Sequence, residues 1–150
     1  MLHLQLASDG IYFVAFYPRR RNDPAPTFAS VGNGRIIKTE GDFGIDYGFL
    51  SAEKAKALAA NVRFIGTAGS VQDRTDGLVL SLGATGEVSY KGYQVVSDSA
   101  VSVTIADDKI TILTSRGRKK EQLLTLKTPA GEQHIIIPAG KSKTTLEMNI

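Results

Sequence analysis

The chain has two histidines, His3 and His134, and each stands inside an alternating apolar and polar run with no cysteine or carboxylate at a metal-ligand spacing. That placement reads as a strand residue, not a ligand or a base. Serine and aspartate are plentiful, so a Ser-His-Asp arrangement could be assembled from distant parts, but no nucleophile-elbow motif anchors one. Asp42-Phe43-Gly44 spells a kinase tripeptide without the Gly-rich strand, lysine strand and catalytic loop that must accompany it. Gly32-Asn33-Gly34 would suit a phosphate loop only if a helix followed, and the next residues, RIIKT, have the pattern of a strand. No catalytic residue and no metal ligand is assigned. Asp73, Asp76, Asp107 and Asp108 could supply oxygen ligands to calcium if two loops met, yet turn chemistry accounts for all four. The expectation is therefore no cofactor, with calcium the open alternative.

The sharper signal is charge. Arg19, Arg20 and Arg21 form one cluster, and Arg116, Arg118, Lys119 and Lys120 another, in a chain of net charge +3 with 18 basic residues. Arginine forks match carboxylate and sulfate groups two bonds at a time, so either cluster could hold an acidic sugar chain or an acidic partner domain. The plain alternative is a solvated loop whose charge blocks edge-to-edge pairing of strands. The first cluster ends the apolar run GIYFVAFYP, and Pro24 and Pro26 keep the loop after it extended, projecting charge away from a core.

Other partners are argued against. Sheet-type nucleic-acid readers interleave aromatic and basic residues on one strand, which is not seen, so no nucleic acid is expected. The chain has no tryptophan, and of its 5 tyrosines only Tyr17, Tyr90 and Tyr93 sit beside turns where a ring could stack on a sugar. No apolar stretch approaches the roughly 20 residues of a membrane helix, and MLHLQLASDG lacks the basic-then-apolar order of a signal peptide. The expectation is no membrane partner, and either an intracellular protein or a piece of a larger, exported one. Cysteine is absent, which removes disulfides and leaves the compartment open.

The elements that must position these residues are short strands. With 150 residues, 42% hydrophobic and 22% charged, the chain fits a single domain, 1–150, around one core. Strand patterns run over Leu2–Ala7, Ile11–Tyr17, Arg35–Thr39, Asp46–Leu50, Val62–Ile65, Ser70–Arg74 and Leu78–Leu82, then EVSY and YQVV within 87–96. Five more stand at Ala100–Ile105, Lys109–Thr114, Gln122–Lys127, His134–Ile137 and Thr144–Met148. Turn residues lie between them, at Asp76-Gly77, Lys91-Gly92 and Asp107-Asp108. One segment breaks the pattern: Ser51–Ala60, SAEKAKALAA, is rich in alanine, glutamate and lysine and predicts one short surface helix capped by Ser51. The fold class expected is all-β, an antiparallel, jelly-roll-like sandwich of about ten or more short strands with that one helix.

The order of IYFVAFYPRRRNDPAP, GRIIKTEGDFGIDYGFLS and VRFIGTAGSVQDRTDGLVLSLGATGEVSYKGY resembles the C-terminal β-sandwich region of bacterial heparinase II/III-like polysaccharide lyases and related large carbohydrate-active proteins. The similarity covers roughly residues 10 to 95 and includes no catalytic motif. The resemblance implies that bond breaking, a Tyr/His-assisted β-elimination of uronic-acid chains, belongs mainly to an upstream α-helical toroid and the first part of the β-sheet region, and that this chain is the terminal sandwich alone, a C-terminal module of a larger periplasmic or secreted protein. Its partners would be the catalytic domain of that parent protein or an acidic polysaccharide. The leading expectation is thus a non-catalytic accessory module. A stand-alone interaction or assembly protein, such as a phage or surface component, is the alternative, and a small hydrolase or lyase with a site built from loops stands third.

Overall fold

A computed structural model describes Pro18 and residues 20–148. The first two expected strands, Leu2–Ala7 and Ile11–Tyr17, lie outside the described residues. The remainder forms β1 (Thr27–Val31), β2 (Ile36–Gly41), β3 (Gly44–Ala59), β4 (Val62–Arg74), β5 (Gly77–Leu82), β6 (Gly86–Tyr90), β7 (Tyr93–Ser97), β8 (Val101–Ala106), β9 (Lys109–Thr114), β10 (Gln122–Thr128), β11 (Gly131–Ile137) and β12 (Lys143–Glu147). All pairing is antiparallel, and no helix occurs among the described residues. The all-β class holds, and the strand β1 appears inside a stretch whose sequence pattern reads as a loop.

Strand β4 organises the whole. Along one side it pairs with β3; along the other, Val62–Ile65 pair with β6 and Gly69–Arg74 pair with β5. The hydrogen-bonded sheet therefore divides at residues 66–68 into two arms. One arm runs β1-β2-β3-β4-β5-β8-β9-β12 and the other β3-β4-β6-β7-β10-β11, with the β3–β4 hairpin common to both. Each strand of the central pairs alternates a buried with a more exposed residue, as in Val101–Ala106 and Gly86–Tyr90. The buried side chains of both arms form one apolar cluster, so the arms are the two layers of a sandwich.

The bend is built from two irregularities opposite one another. On β3, the register jumps from Leu50↔Ala68 to Ala55↔Gly66, so that residues 51–54 face Thr67 alone. On β4, Gly66 is buried with φ +147°, a region closed to side chains, and a Cβ there would meet the Thr85 carbonyl at 3.2 Å. Aromatic rings then stitch the layers together beside the bend. Phe49 of the first arm stacks on Phe64 of the second at 5.3 Å between centroids, and Tyr47 tilts against Tyr90 at 5.7 Å. Burying a phenylalanine side chain is worth about 1.5–3 kcal/mol.

The helix expected over Ser51–Ala60 is corrected: residues 51–59 are the bulged second half of β3, and Ala60 opens the turn to β4 at φ 47°. Helix propensity is a weak prior, and here tertiary context outweighs it. Ala55, Ala57 and Ala59 turn inward, where small side chains leave room for Phe64 and Val62 across the ladder, while Lys56 and Leu58 turn out. The segment AKALA carries a period of two that alanine's helical preference masks. Likewise Val62–Ile65 and Ser70–Arg74 are one bent strand, not two.

Replacing Gly66 with alanine should lower unfolding free energy by about 1–3 kcal/mol, since the φ must move or the side chain must be strained. Urea denaturation followed by far-UV circular dichroism measures it; a change below about 0.5 kcal/mol would mean the bend does not need a glycine.

Candidate functional site

The two basic clusters are not brought together. Arg19 lies outside the described residues, and Arg20 and Arg21 are exposed in a turn ahead of β1, where the Arg20 amide donates to the Asp23 carboxylate at 3.0 Å. Thr27, at the start of β1, shares a cross-strand row with Ile110 near the start of β9, whereas Arg116–Lys120 lie beyond the far end of β9. The path from β1 to β9 takes six strand spacings, roughly 29 Å along the curved sheet. Arg20 and Arg21 thus lead into the edge strand at one end of the layer, and 116–120 follow the opposite end of a strand six spacings away.

Within the second cluster, Arg118 differs from its neighbours. Its Nη1 donates to the Lys120 carbonyl at 2.8 Å and its Nη2 to the carbonyls of Pro138 and Lys141, each at 3.1 Å. The Gly140 amide donates back to the Arg118 carbonyl at 2.8 Å, and the Thr114 amide and hydroxyl donate to the Ser142 and Lys141 carbonyls. The guanidinium fork is used to tie the β9–β10 loop to the β11–β12 loop, so Arg118 is a positioning residue and not a free cation. That tie brings in two lysines the sequence pattern does not connect to the cluster, Lys141 in the joined loop and Lys143 at the head of β12. Arg116, Lys119, Lys120, Lys141 and Lys143 are all exposed, and none forms an ion pair among the described residues. Only strand pairing could reveal this, because β10 and β11 stand between the two loops in sequence.

The platform so formed borders the outer face of the first layer. Lys143 pairs in register with Leu113, Leu113 with Ser102, Ser102 with Ser81, Ser81 with Ser70, Ser70 with Gly48, Gly48 with Ile37 and Ile37 with Ser30. Short side chains in the middle of this row leave a shallow trough of about 360 Å³ lined by Gly48, Leu50, Ala68, Ser70, Ser81 and Gly83. The trough shares Leu50 with a larger open recess of about 630 Å³ between the β1–β2 turn and the β3 bulge.

Comparison with known proteins finds no matching family model, no matching curated protein and no matching solved structure. Function must be read from the side chains themselves.

Three other titratable groups, Asp73, Tyr90 and Lys91, are held by one another. Tyr90 donates its hydroxyl to Asp73 Oδ2 at 2.8 Å, and Lys91 Nζ donates to the same oxygen at 2.8 Å, linking the end of β6 to β4. Burial, then the bond to Asp73, pushes the Tyr90 hydroxyl up to about 12, while the Lys91 ammonium holds the Asp73 carboxyl below its usual range. Asp107 and Asp108 adopt positive φ of 49° and 58° and form the two-residue turn of the β8–β9 hairpin. Among the described residues no three histidine, aspartate or glutamate side chains converge on one point. His134 is exposed on β11, 3.0 Å from the Thr125 hydroxyl, and His3 lies outside the described residues. Asp42-Phe43-Gly44 is the β2–β3 turn, with Phe43 under the Arg74 guanidinium at 5.3 Å.

Arg118→Met should cost about 1–3 kcal/mol and raise hydrogen-exchange rates in both loops, because the Lys120, Pro138 and Lys141 carbonyls lose a charged donor; Arg118→Lys should not restore it, since a point charge cannot reach all of them. Retained protection in Arg118→Met would refute the tie. Separately, the stability that Tyr90 contributes is full below pH 10, the ordinary tyrosine value, and is lost as pH rises through about 12. The Asp73 contribution has the opposite sense, present above the ordinary carboxylate value and lost as pH falls through its lowered one. Tyr90→Phe should flatten the alkaline decline in melting temperature, and ultraviolet titration of the wild type should show one tyrosine ionising near pH 12.

Proposed function

We propose that this domain is a non-catalytic β-sandwich module that contacts an anionic polymer, an acidic polysaccharide first, as the accessory part of a carbohydrate-active, polysaccharide-lyase-like protein. The observation that carries the reading is the platform of Arg116, Lys119, Lys120, Lys141 and Lys143, exposed cations without ion-pair partners among the described residues, on two loops that the Arg118 fork holds together. The tie fixes the backbone that carries the cations, so the loops need not be ordered on binding, and repeated carboxylates or sulfates along a chain match repeated positive groups. The serine hydroxyls in the adjoining trough supply hydrogen bonds to sugar hydroxyls, in place of stacking on rings. The reading as non-catalytic draws support from Asp73, Tyr90 and Lys91, which engage one another. Calcium is not required by it, because the carboxylate of Asp73 is already held by Lys91 and Tyr90.

One observation favours a second reading, an interaction or assembly protein. On the outer face of the second layer, Leu123 and Ile136 are register partners, 57% and 61% exposed, with Val96 one strand away. Apolar side chains grouped on a sheet face suit a protein partner better than a sugar.

Heparin and alginate offered to the purified protein at low salt should bind, with affinity falling steeply as salt rises and falling about tenfold or more in the Lys119→Ala, Lys120→Ala, Lys143→Ala triple variant. No binding of either polymer at low salt removes the reading, and release of unsaturated product from either would overturn its non-catalytic part. Loss of self-association or partner capture in Leu123→Asp, with glycan binding absent, would favour the second reading instead.

A further inference from the structure

The trough on the outer face of the first layer shares Leu50 with the recess of about 630 Å³, and on its other side the same cross-strand row runs through Ser102 and exposed Leu113 to Lys143 of the cationic platform. The recess exists because the bulge of residues 51–54 swings away from β4, leaving space against the end of the β1–β2 hairpin. Its walls are amphiphilic: Ile37 and Leu50 are apolar, Ser30 and Ser51 carry hydroxyls, and Arg35 and Lys54 bring two cations. Both cations are exposed, and neither forms an ion pair with a described residue. Glu53 stands in the same recess, so its charge is net positive but opposed.

We infer that this recess is a second anion-binding subsite, and that one linear polyanion lies across the outer face of the first layer with its acidic groups held at the platform and at Arg35 and Lys54. The inference rests on the platform being a polyanion site and adds where the chain runs and how long it must be. From Lys143 on β12 to the bulge on β3 is five strand spacings, and to β1 seven, so the bound segment spans roughly 24–34 Å. A chain that reaches both ends gains the second contact as an intramolecular step, and a fragment too short to span gains only the first. Recognition of a small neutral sugar would need neither the cations nor that length.

The test compares full-length heparin with heparin fragments shorter than about 20 Å on the intact protein, by titration calorimetry at low salt. In Arg35→Ala/Lys54→Ala, affinity for the long chain should fall about fivefold to tenfold while affinity for the short fragments stays unchanged, and Glu53→Gln should tighten the long chain alone. All three residues are exposed, and an unshifted melting temperature verifies that the variants fold. Unchanged long-chain affinity in the double variant, or an equal loss for short fragments, overturns the inference while leaving the platform reading intact if the lysine triple variant still weakens binding. Failure of wild-type protein to bind heparin at all removes the platform reading and this inference with it.

Discussion

A two-layer sandwich made from one continuous sheet depends on a strand pair that can turn a corner without losing its hydrogen bonds. The β3–β4 hairpin meets that demand by placing its surplus residues on one strand and its permissive residue on the other. Residues 51–54 widen β3 while Gly66 lets β4 fold sharply, and the ladder resumes at once on either side. Buried backbone groups away from a ladder are costly, which is why the corner is confined to a few positions. Gly69 shows how tight the inside of the corner is, since a Cβ there would lie 2.8 Å from the Phe64 ring. The same corner creates the recess on the outside. Architecture and the candidate binding surface thus share one cause.

Charge in this protein divides into two kinds. Some charged groups are consumed by the fold: Arg118 on loop carbonyls, Arg74 on Asp46 in a two-point contact with a 2.8 Å bond, and Lys91 on Asp73. Others stand on the surface without an ion-pair partner among the described residues, and five such cations lie together on and beside the loops after β9 and β11. Buried Gln122 plays the neutral counterpart to Arg118, donating to Ser97 at 2.9 Å and to the Ala100 carbonyl at 3.1 Å, which fixes the crossing from β7 to β8. Polar side chains facing inward at layer crossings hold the loops, and loops so held can present cations in a set arrangement.

Much of the fold was legible because alternation survives wherever one face of a strand is buried, as in Val101–Ala106 and Lys109–Thr114, whose expected bounds differ from the observed ones by a residue at most. Turn chemistry was equally readable, with Lys91-Gly92 adopting φ of 47° and 85° and Asp107-Asp108 both positive, as tight hairpins demand. Legibility failed where side chains are small or exposed on both faces. Thr27–Val31 is an edge strand with nearly every residue exposed, so it carries no period, and the alanines of β3 mimic a helix. For the candidate site, local clustering identified Arg116, Lys119 and Lys120, but Arg118 looks the same in sequence as its neighbours on the platform. Lys141 and Lys143 depend on the pairing of β12 with β9 across two intervening strands, and Arg35 and Lys54 on a bulge whose alanine-rich sequence reads as a helix, so no local pattern encodes either group.

After β5 the chain visits the layers two strands at a time: β6 and β7 in one, β8 and β9 in the other, then β10 and β11, and finally β12. Each hairpin closes on itself before the chain crosses, and each layer grows outward from the shared corner. Width and corner are thereby separable properties. The residues that make the bend and the inner aromatic pairs, Phe49 with Phe64 and Tyr47 with Tyr90, all lie in β3, β4 and β6, so the span of the outer face is set by strands that take no part in the corner.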